Sequence, residues 1–132
     1  MAQNITKGVQ ELLDEASARI TTIPIDEALD LVDSEDHVLV DLREPRELQR
    51  KGKIPGAFVC PRGMLEFWLD SESPDHKPIF NQDKTFVFYC ASAKRSALSA
   101  RTAQEMGLQP VAHIEGGFGA WVKAGGPVEE LA

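Results

Sequence analysis

The sequence contains little that would tie it to a membrane, an oxidising compartment or a nucleic acid. No stretch of its 132 residues approaches the roughly 20 consecutive apolar residues needed to cross a bilayer. The opening MAQNITKGVQELLDEA also lacks the continuous apolar core of a secretory signal. The expectation is a cytoplasmic protein with no membrane partner. Cysteine is scarce: only Cys60 and Cys90 occur, too few for a disulfide framework and without the CxxC or His-rich spacing of a zinc site. No metal is expected, and at least one thiol is free for chemistry. Basic residues are outnumbered, 14 Lys and Arg against 21 Asp and Glu for a net charge of −7. That balance disfavours binding to nucleic acid, so any anion site must be a local exception. His37, His76 and His113 stand singly, and each reads as a surface or strand-end residue before a ligand or a base.

What is present suits one ordinary globular domain, with 42% hydrophobic and 27% charged residues and no repeat or low-complexity tract. Ile5, Val9, Leu12, Leu13, Ala16 and Ile20 recur at helical spacing and predict an amphipathic helix ending near Arg19. A short β-branched stretch, Ile20 to Ile23, leads to a helix over Asp26 to Val32. The run His37 to Leu42 reads as a buried strand. Glu44 to Arg50 is a polar helix with Pro45 in its first turn, stopped by Gly52 and followed by the turn Ile54-Pro55-Gly56. Ala57 to Cys60 predicts a short strand, and Arg62 to Asp70 an apolar helix in which Phe67 and Trp68 are core candidates. Ser71 to Lys84 is then the longest loop.

Thr85 to Tyr89 is the clearest strand, aromatic and β-branched, and it runs straight into Cys90. A helix from Ser96 to Met106 follows, with Leu98, Ala100, Ala103 and Met106 inward and Gly107 as its stop. The strand Val111 to Ile114 and a short helix after Gly116-Gly117 complete the chain. Strands alternating with helices predict an α/β fold whose central, mostly parallel sheet carries helices on both faces, with ligand sites at the carboxyl ends of its strands.

Cys90 stands at such an end, followed by Ala91, Ser92, Ala93, Lys94, Arg95 and Ser96. Small side chains allow the loop to curl so that successive amides converge on the sulfur. The helix adds the positive end of its dipole, and Lys94 and Arg95 add full charges. Surroundings of this kind favour thiolate over thiol and stabilise any anion that replaces it. Taken alone they do not choose between a sulfur and a phosphate substrate. Cys60, beside Pro61 after an apolar run, has no such setting and reads as a packing residue.

Four motifs, in order, resemble the rhodanese (sulfurtransferase) family. They are Asp41-Leu42-Arg43-Glu44, Gly52-Lys53-Ile54-Pro55-Gly56-Ala57, the loop Cys90 to Ser96, and Gly116-Gly117-Phe118 with Trp121. The resemblance implies a rhodanese-like domain over residues 20–132, with residues 1–19 as a helical extension: a cap, a partner handle or a contact within a homodimer. It implies Cys90 as nucleophile, residues 91–96 as the anion-binding loop, and no cofactor. The implied reaction moves sulfur from a small anionic donor such as thiosulfate, through a Cys90 persulfide, to cyanide, a thiol or a partner protein. Asp41 and Arg43 are supporting residues, expected to brace loops rather than touch substrate. Two departures stand out. Lys53 replaces the family's usual His, expected to matter little, and Ala93 replaces a frequent Gly, so the loop either avoids positive φ there or bears strain. A cysteine phosphatase or arsenate reductase is the rival enzyme, but its pattern needs an Arg at position 96, where this chain has Ser96. A non-catalytic interaction or persulfide-carrier module is the third reading.

Overall fold

The computed structural model describes residues 2–131. In chain order its elements are α1 (Val9–Arg19), β1 (Thr21–Ile23), α2 (Ile25–Ala28, extended by a 3₁₀ turn over Leu29–Leu31), β2 (His37–Asp41), α3 (Pro45–Lys51), β3 (Phe58–Val59), α4 (Leu65–Leu69, entered through a 3₁₀ turn over Arg62–Met64), β4 (Thr85–Tyr89), α5 (Lys94–Met106), β5 (Val111–Ile114) and α6 (Gly117–Lys123). The five strands form one sheet in the order β1-β5-β4-β2-β3, and every pairing is parallel. The expected mostly parallel sheet with helices on both faces is therefore present.

Strand periodicity sorts the core into two layers. Val38, Val40, Leu42, Phe86 and Phe88 point to one face, where they meet Leu65, Ala97, Ala100 and Ala103, with Leu13 and Trp68 at the margin. Leu39, Val87, Tyr89 and Ile114 point to the other, against Ala28, Ile54, Phe118 and Trp121. Thus α1, α4 and α5 cover one side and α2 and α6 the other. At roughly 25 cal/mol per Å² of apolar surface, each fully buried Phe or Leu contributes about 1.5–3 kcal/mol.

Differences from the sequence expectation are local. α5 starts at Lys94 rather than Ser96, because the chain turns sharply at Ala93 and the helical hydrogen bonds begin at once. The apolar segment Arg62 to Asp70 is broken into a 3₁₀ turn and a five-residue helix, too short to bury every apolar side chain. Phe67 is 54% exposed. Met106, expected inward, is also exposed, since Gly107 ends the helix just past the edge of the core. α1 lies on α5 through Ala16, and its end is tied down by the Gln104 side-chain amide donating to the Arg19 carbonyl at 2.9 Å. Ile5, Val9 and Leu12 remain exposed.

Lys53 matters more than expected. It is 9% exposed, its Nζ donates to the Ala57 carbonyl at 3.0 Å and lies 3.5 Å from Glu129, and its backbone pairs antiparallel with Glu129. A long cation at this position fastens the chain's C-terminal segment to the turn. Among the described residues no helix is long and apolar enough to cross a membrane.

Candidate active site

β4 fixes the height at which Cys90 leaves the sheet. The register pairs Tyr89 with Asp41 of β2, and the Leu42 amide donates to the Tyr89 carbonyl at 2.9 Å, so the chain is held up to its last strand residue. Cys90 follows at 1% exposure. The backbone then curls through Ala91, Ser92 and Ala93 into α5. Ala93 has φ 77° and ψ −4°, and it is the one non-glycine with positive φ among the described residues. Of the two alternatives open at this position, strain is the one realised, at a cost of about 1–2 kcal/mol for a residue with a Cβ.

That turn aims the first turn of α5 back at the sulfur, and the Ser96 amide reaches Cys90 Sγ at 3.3 Å. Among the described residues it is the only amide that does so. Among the described residues no acceptor is found for the amides of residues 91–95. The expected convergence of several amides on the thiol is thus a single contact, with the loop's remaining donors unpaired.

The loop is held from outside by α6. Phe118 N–H donates to the Cys90 carbonyl at 2.8 Å and Gly119 N–H to the Ala91 carbonyl at 3.1 Å, which turns both carbonyls away from the curl. Gly117 makes this approach possible: its φ is 65°, and a Cβ there would fall 2.5 Å from the Cys90 carbonyl oxygen. The Gly116-Gly117 element therefore shapes the last helix, as the sequence suggested, and also braces the loop.

The two cations behave differently. Lys94 is exposed and has no carboxylate partner among the described residues. Arg95 is not free for an anion, because its Nη1 and Nη2 donate to the two oxygens of Glu47 on α3, each at 2.8 Å. Those bonds from Arg95 lower the Glu47 carboxyl from 4.5 to about 2. Glu47 takes up the Arg95 fork, while the Arg95 charge remains within electrostatic reach of Cys90. An open groove of about 350 Å³ borders Ala91, with Phe118 and Val122 as apolar walls and Arg50 and Lys51 at its rim. Neither cation has a carboxylate partner among the described residues. They make a local basic exception on an acidic chain.

Asp41 and Arg43 lie beneath, 0% and 1% exposed. Asp41 accepts from the Arg43 backbone amide at 3.0 Å and from its Nη2 at 2.7 Å. The same Nη2 donates to the Gly52 carbonyl at 2.7 Å, and the guanidinium sits 4.1 Å over the Phe118 ring. These contacts join β2, the end of α3 and α6, and none of them reaches Cys90.

Cys60 shares the sheet edge but not the chemistry. It follows Val59 as Cys90 follows Tyr89, and both strand ends pair with Asp41, so β2 stands between the two thiols. Two strand spacings make about 9.5 Å, beyond the roughly 7 Å limit for a disulfide. Burial raises the Cys60 thiol to about 12. His113, read from sequence as an isolated strand residue, is 4% exposed and stands directly behind Ser96, Nδ1 to Oγ 2.9 Å. No local sequence signal could have paired residues 17 positions apart on different elements.

A family profile described as "Rhodanese-like domain" matches residues 24–124. The chain belongs to the rhodanese-like domain family. A sulfurtransferase of Allochromatium vinosum is 34% identical over 98 residues, covering 74% of this chain and 83% of that protein. The thiosulfate sulfurtransferase GlpE of Pseudoalteromonas translucida is 30% identical over 103 residues, covering 77% and 89%. Among solved structures, a protein of unknown function from Rhodopseudomonas palustris, described as a possible tyrosine phosphatase, superposes with a TM-score of 0.95 at 61% identity, covering 98% of this chain and 99% of that one. Sulfur transfer is the chemistry that the named relatives of this rhodanese-like chain support.

Proposed function

We propose that the chain is a sulfurtransferase that carries sulfane sulfur on Cys90. The observation that carries the reading is the loop itself: a buried cysteine at a strand end, the Ser96 amide on its sulfur, and five further amides without acceptors among the described residues, around a curl of small residues. Amides arranged at a helix start stabilise negative charge, on a thiolate or on the terminal sulfur of a persulfide.

In the first step the Cys90 thiolate attacks the outer sulfur of a donor such as thiosulfate. A new S–S bond forms to Cys90, the donor's S–S bond breaks, and sulfite leaves with its electron pair. In the second step an acceptor nucleophile attacks the terminal persulfide sulfur, and the Cys90 thiolate is the leaving group. A thiol acceptor becomes a persulfide, cyanide becomes thiocyanate, and a partner protein's cysteine takes the sulfur in the same way. Splitting one transfer into two displacements lowers the barrier of each. Lys94, Arg50 and Lys51 attract the anionic donor, while Asp41, Arg43 and the Arg95–Glu47 pair hold the frame.

The Rhodopseudomonas palustris neighbour raises a phosphatase as the second reading. Two observations speak against it here. Position 96 is Ser, where that chemistry places an arginine, and the nearby Arg95 is bound at both nitrogens to Glu47 and so lacks the free fork that grips a tetrahedral phosphate. Incubation with thiosulfate followed by intact mass is expected to add one sulfur to the wild type and none to Cys90→Ser. Cys90→Ser is also expected to lose thiosulfate:cyanide activity while keeping its fold. Hydrolysis of an aryl phosphate with a kcat/KM above that for thiosulfate would overturn the assignment, as would undiminished transfer by Cys90→Ser.

A further inference from the structure

The alanine at position 93 raises a physical question that the sulfurtransferase reading leaves open. Its left-handed turn sets the direction of α5 and so places the one amide on the sulfur, yet alanine disfavours that conformation. Something outside the loop must hold it.

β5 supplies a chain of polar contacts, buried at His113 and Ser96 and open to solvent at Thr22, that ends at this turn. Thr22 Oγ1 lies 3.1 Å from His113 Nε2, His113 Nδ1 lies 2.9 Å from Ser96 Oγ, and Ser96 Oγ donates to the Ala93 carbonyl at 3.2 Å. Proton counting favours the direction that makes all three contacts. If the Ser96 hydroxyl donated to His113, the Ala93 carbonyl would keep only the Ala97 amide at 3.1 Å. With the proton on Nδ1, Thr22 donates to Nε2, Nδ1–H donates to Ser96, and the Ser96 proton is left for Ala93, so all three contacts are made. Burial lowers the His113 pKa, which keeps the imidazole neutral and in need of both a donor and an acceptor, and this chain supplies them.

We propose that His113 is a positioning residue for the Cys90 loop: its Nδ1–H directs the Ser96 hydroxyl onto the Ala93 carbonyl and so holds the left-handed turn and the Ser96 amide against Cys90 Sγ. The proposal rests on the reading of Cys90 as the reactive thiol. It also explains how the chain does without glycine at this turn. A glycine would adopt the conformation unaided; with alanine the hydroxyl adds a second donor to a carbonyl that already accepts the Ala97 amide, and this clamp needs a partner that takes up the hydroxyl's lone pair without competing for its proton. His113 acts through Ser96 and touches neither the thiol nor the substrate.

The distinguishing experiment is a double-mutant cycle between positions 113 and 93. His113→Leu is expected to slow Cys90 persulfide formation from thiosulfate about tenfold, a loss on the scale of one buried hydrogen bond. His113→Asn, which can present an N–H in place of Nδ1, is expected to recover most of it. In an Ala93→Gly background the same His113→Leu change is expected to cost less than about twofold, because the turn no longer needs the clamp. A general packing role for His113 would give the same loss in both backgrounds, and that result overturns the proposal, as does a wild-type rate for His113→Leu. If His113→Leu does not fold by circular dichroism, Ser96→Ala takes its place in the cycle with the same expectation. Alkylation of Cys90 by iodoacetamide is read in parallel and needs no sulfur donor. A protein that takes no sulfur yet shows the cycle in alkylation would refute the sulfur-transfer reading and leave the His113 role standing.

Discussion

Arg95 and Glu47, 48 positions apart in sequence, are joined by two hydrogen bonds of 2.8 Å that tie the start of the helix carrying the loop to α3. The Arg95 side chain is 40% exposed and that of Glu47 33%, so solvent screens the pair and its contribution is about 1 kcal/mol. The pairing holds Glu47 at about 2 in the folded chain against 4.5 in the open. A carboxyl lowered on folding stabilises fully above its unfolded value, and that contribution is lost as pH falls through the folded value. The expected outcome is a wild-type stability that drops between about pH 4.5 and pH 2, with a shallower drop in Glu47→Gln and a deficit of about 1 kcal/mol for that variant at pH 7. Urea unfolding across the pH range measures both. Parallel curves for the two proteins would mean the pair contributes nothing.

The Asp41–Arg43 pair calls for a different expectation because it is buried. Arg43→Met leaves the Asp41 carboxylate without its partner in a dry site, which costs about 3–5 kcal/mol. Changing both residues, Asp41→Leu with Arg43→Met, is expected to recover part of that loss. The KM for thiosulfate should stay within about twofold wherever the protein remains folded, since the hydrogen bonds of both side chains run to the frame and none to the thiol. A small loss of stability together with a large rise in KM would instead make Arg43 a substrate contact.

Elements carried by local pattern were legible in the sequence, and relationships between distant residues were not. Thr85 to Tyr89 announced a strand by its branched and aromatic side chains, and the small residues after Cys90 announced a curl. The partner of Arg95 could not be read, because Glu47 belongs to a helix whose own sequence looks merely polar. His113 looked isolated for a similar reason. Its partners Thr22 and Ser96 come from β1 and α5, and they meet it only because β5 lies between β1 and β4. At Ala93 the sequence defined the alternatives, and only the backbone angle chose between them. Lys53 was misjudged because its importance lies in the Glu129 segment, far along the chain.

The placement of Cys60 bears on how Cys90 would be discharged under the proposed function. With β2 between the thiols and Cys60 held protonated by burial, this arrangement leaves no route to a Cys60–Cys90 disulfide, so under the proposed function a second molecule is expected to take the sulfur. Native alkylation is expected to modify Cys90 alone. Cys60→Ala is expected to load sulfur at the wild-type rate while losing about 1 kcal/mol of stability, the loss of a buried sulfur atom in a packed layer. Peptide mapping without reductant after thiosulfate treatment should show no Cys60–Cys90 link; finding one would show that the loop opens far beyond this arrangement.

Ala93→Gly isolates the strain in the turn. Alanine to glycine normally lowers stability, because the unfolded chain gains freedom worth about 0.4–1 kcal/mol. At φ 77° the folded state gains in the opposite direction, since removing the Cβ relieves about 1–2 kcal/mol. The difference favours the variant by about 0.6–1 kcal/mol, so Ala93→Gly is expected to unfold at slightly higher urea. Ala100→Gly, inside the same helix and with ordinary helical geometry, is the comparison, expected to lose about 1 kcal/mol for the backbone and more for the buried methyl. Equal losses at the two positions would show that the turn at 93 carries no strain, and the need for the hydroxyl clamp would go with it.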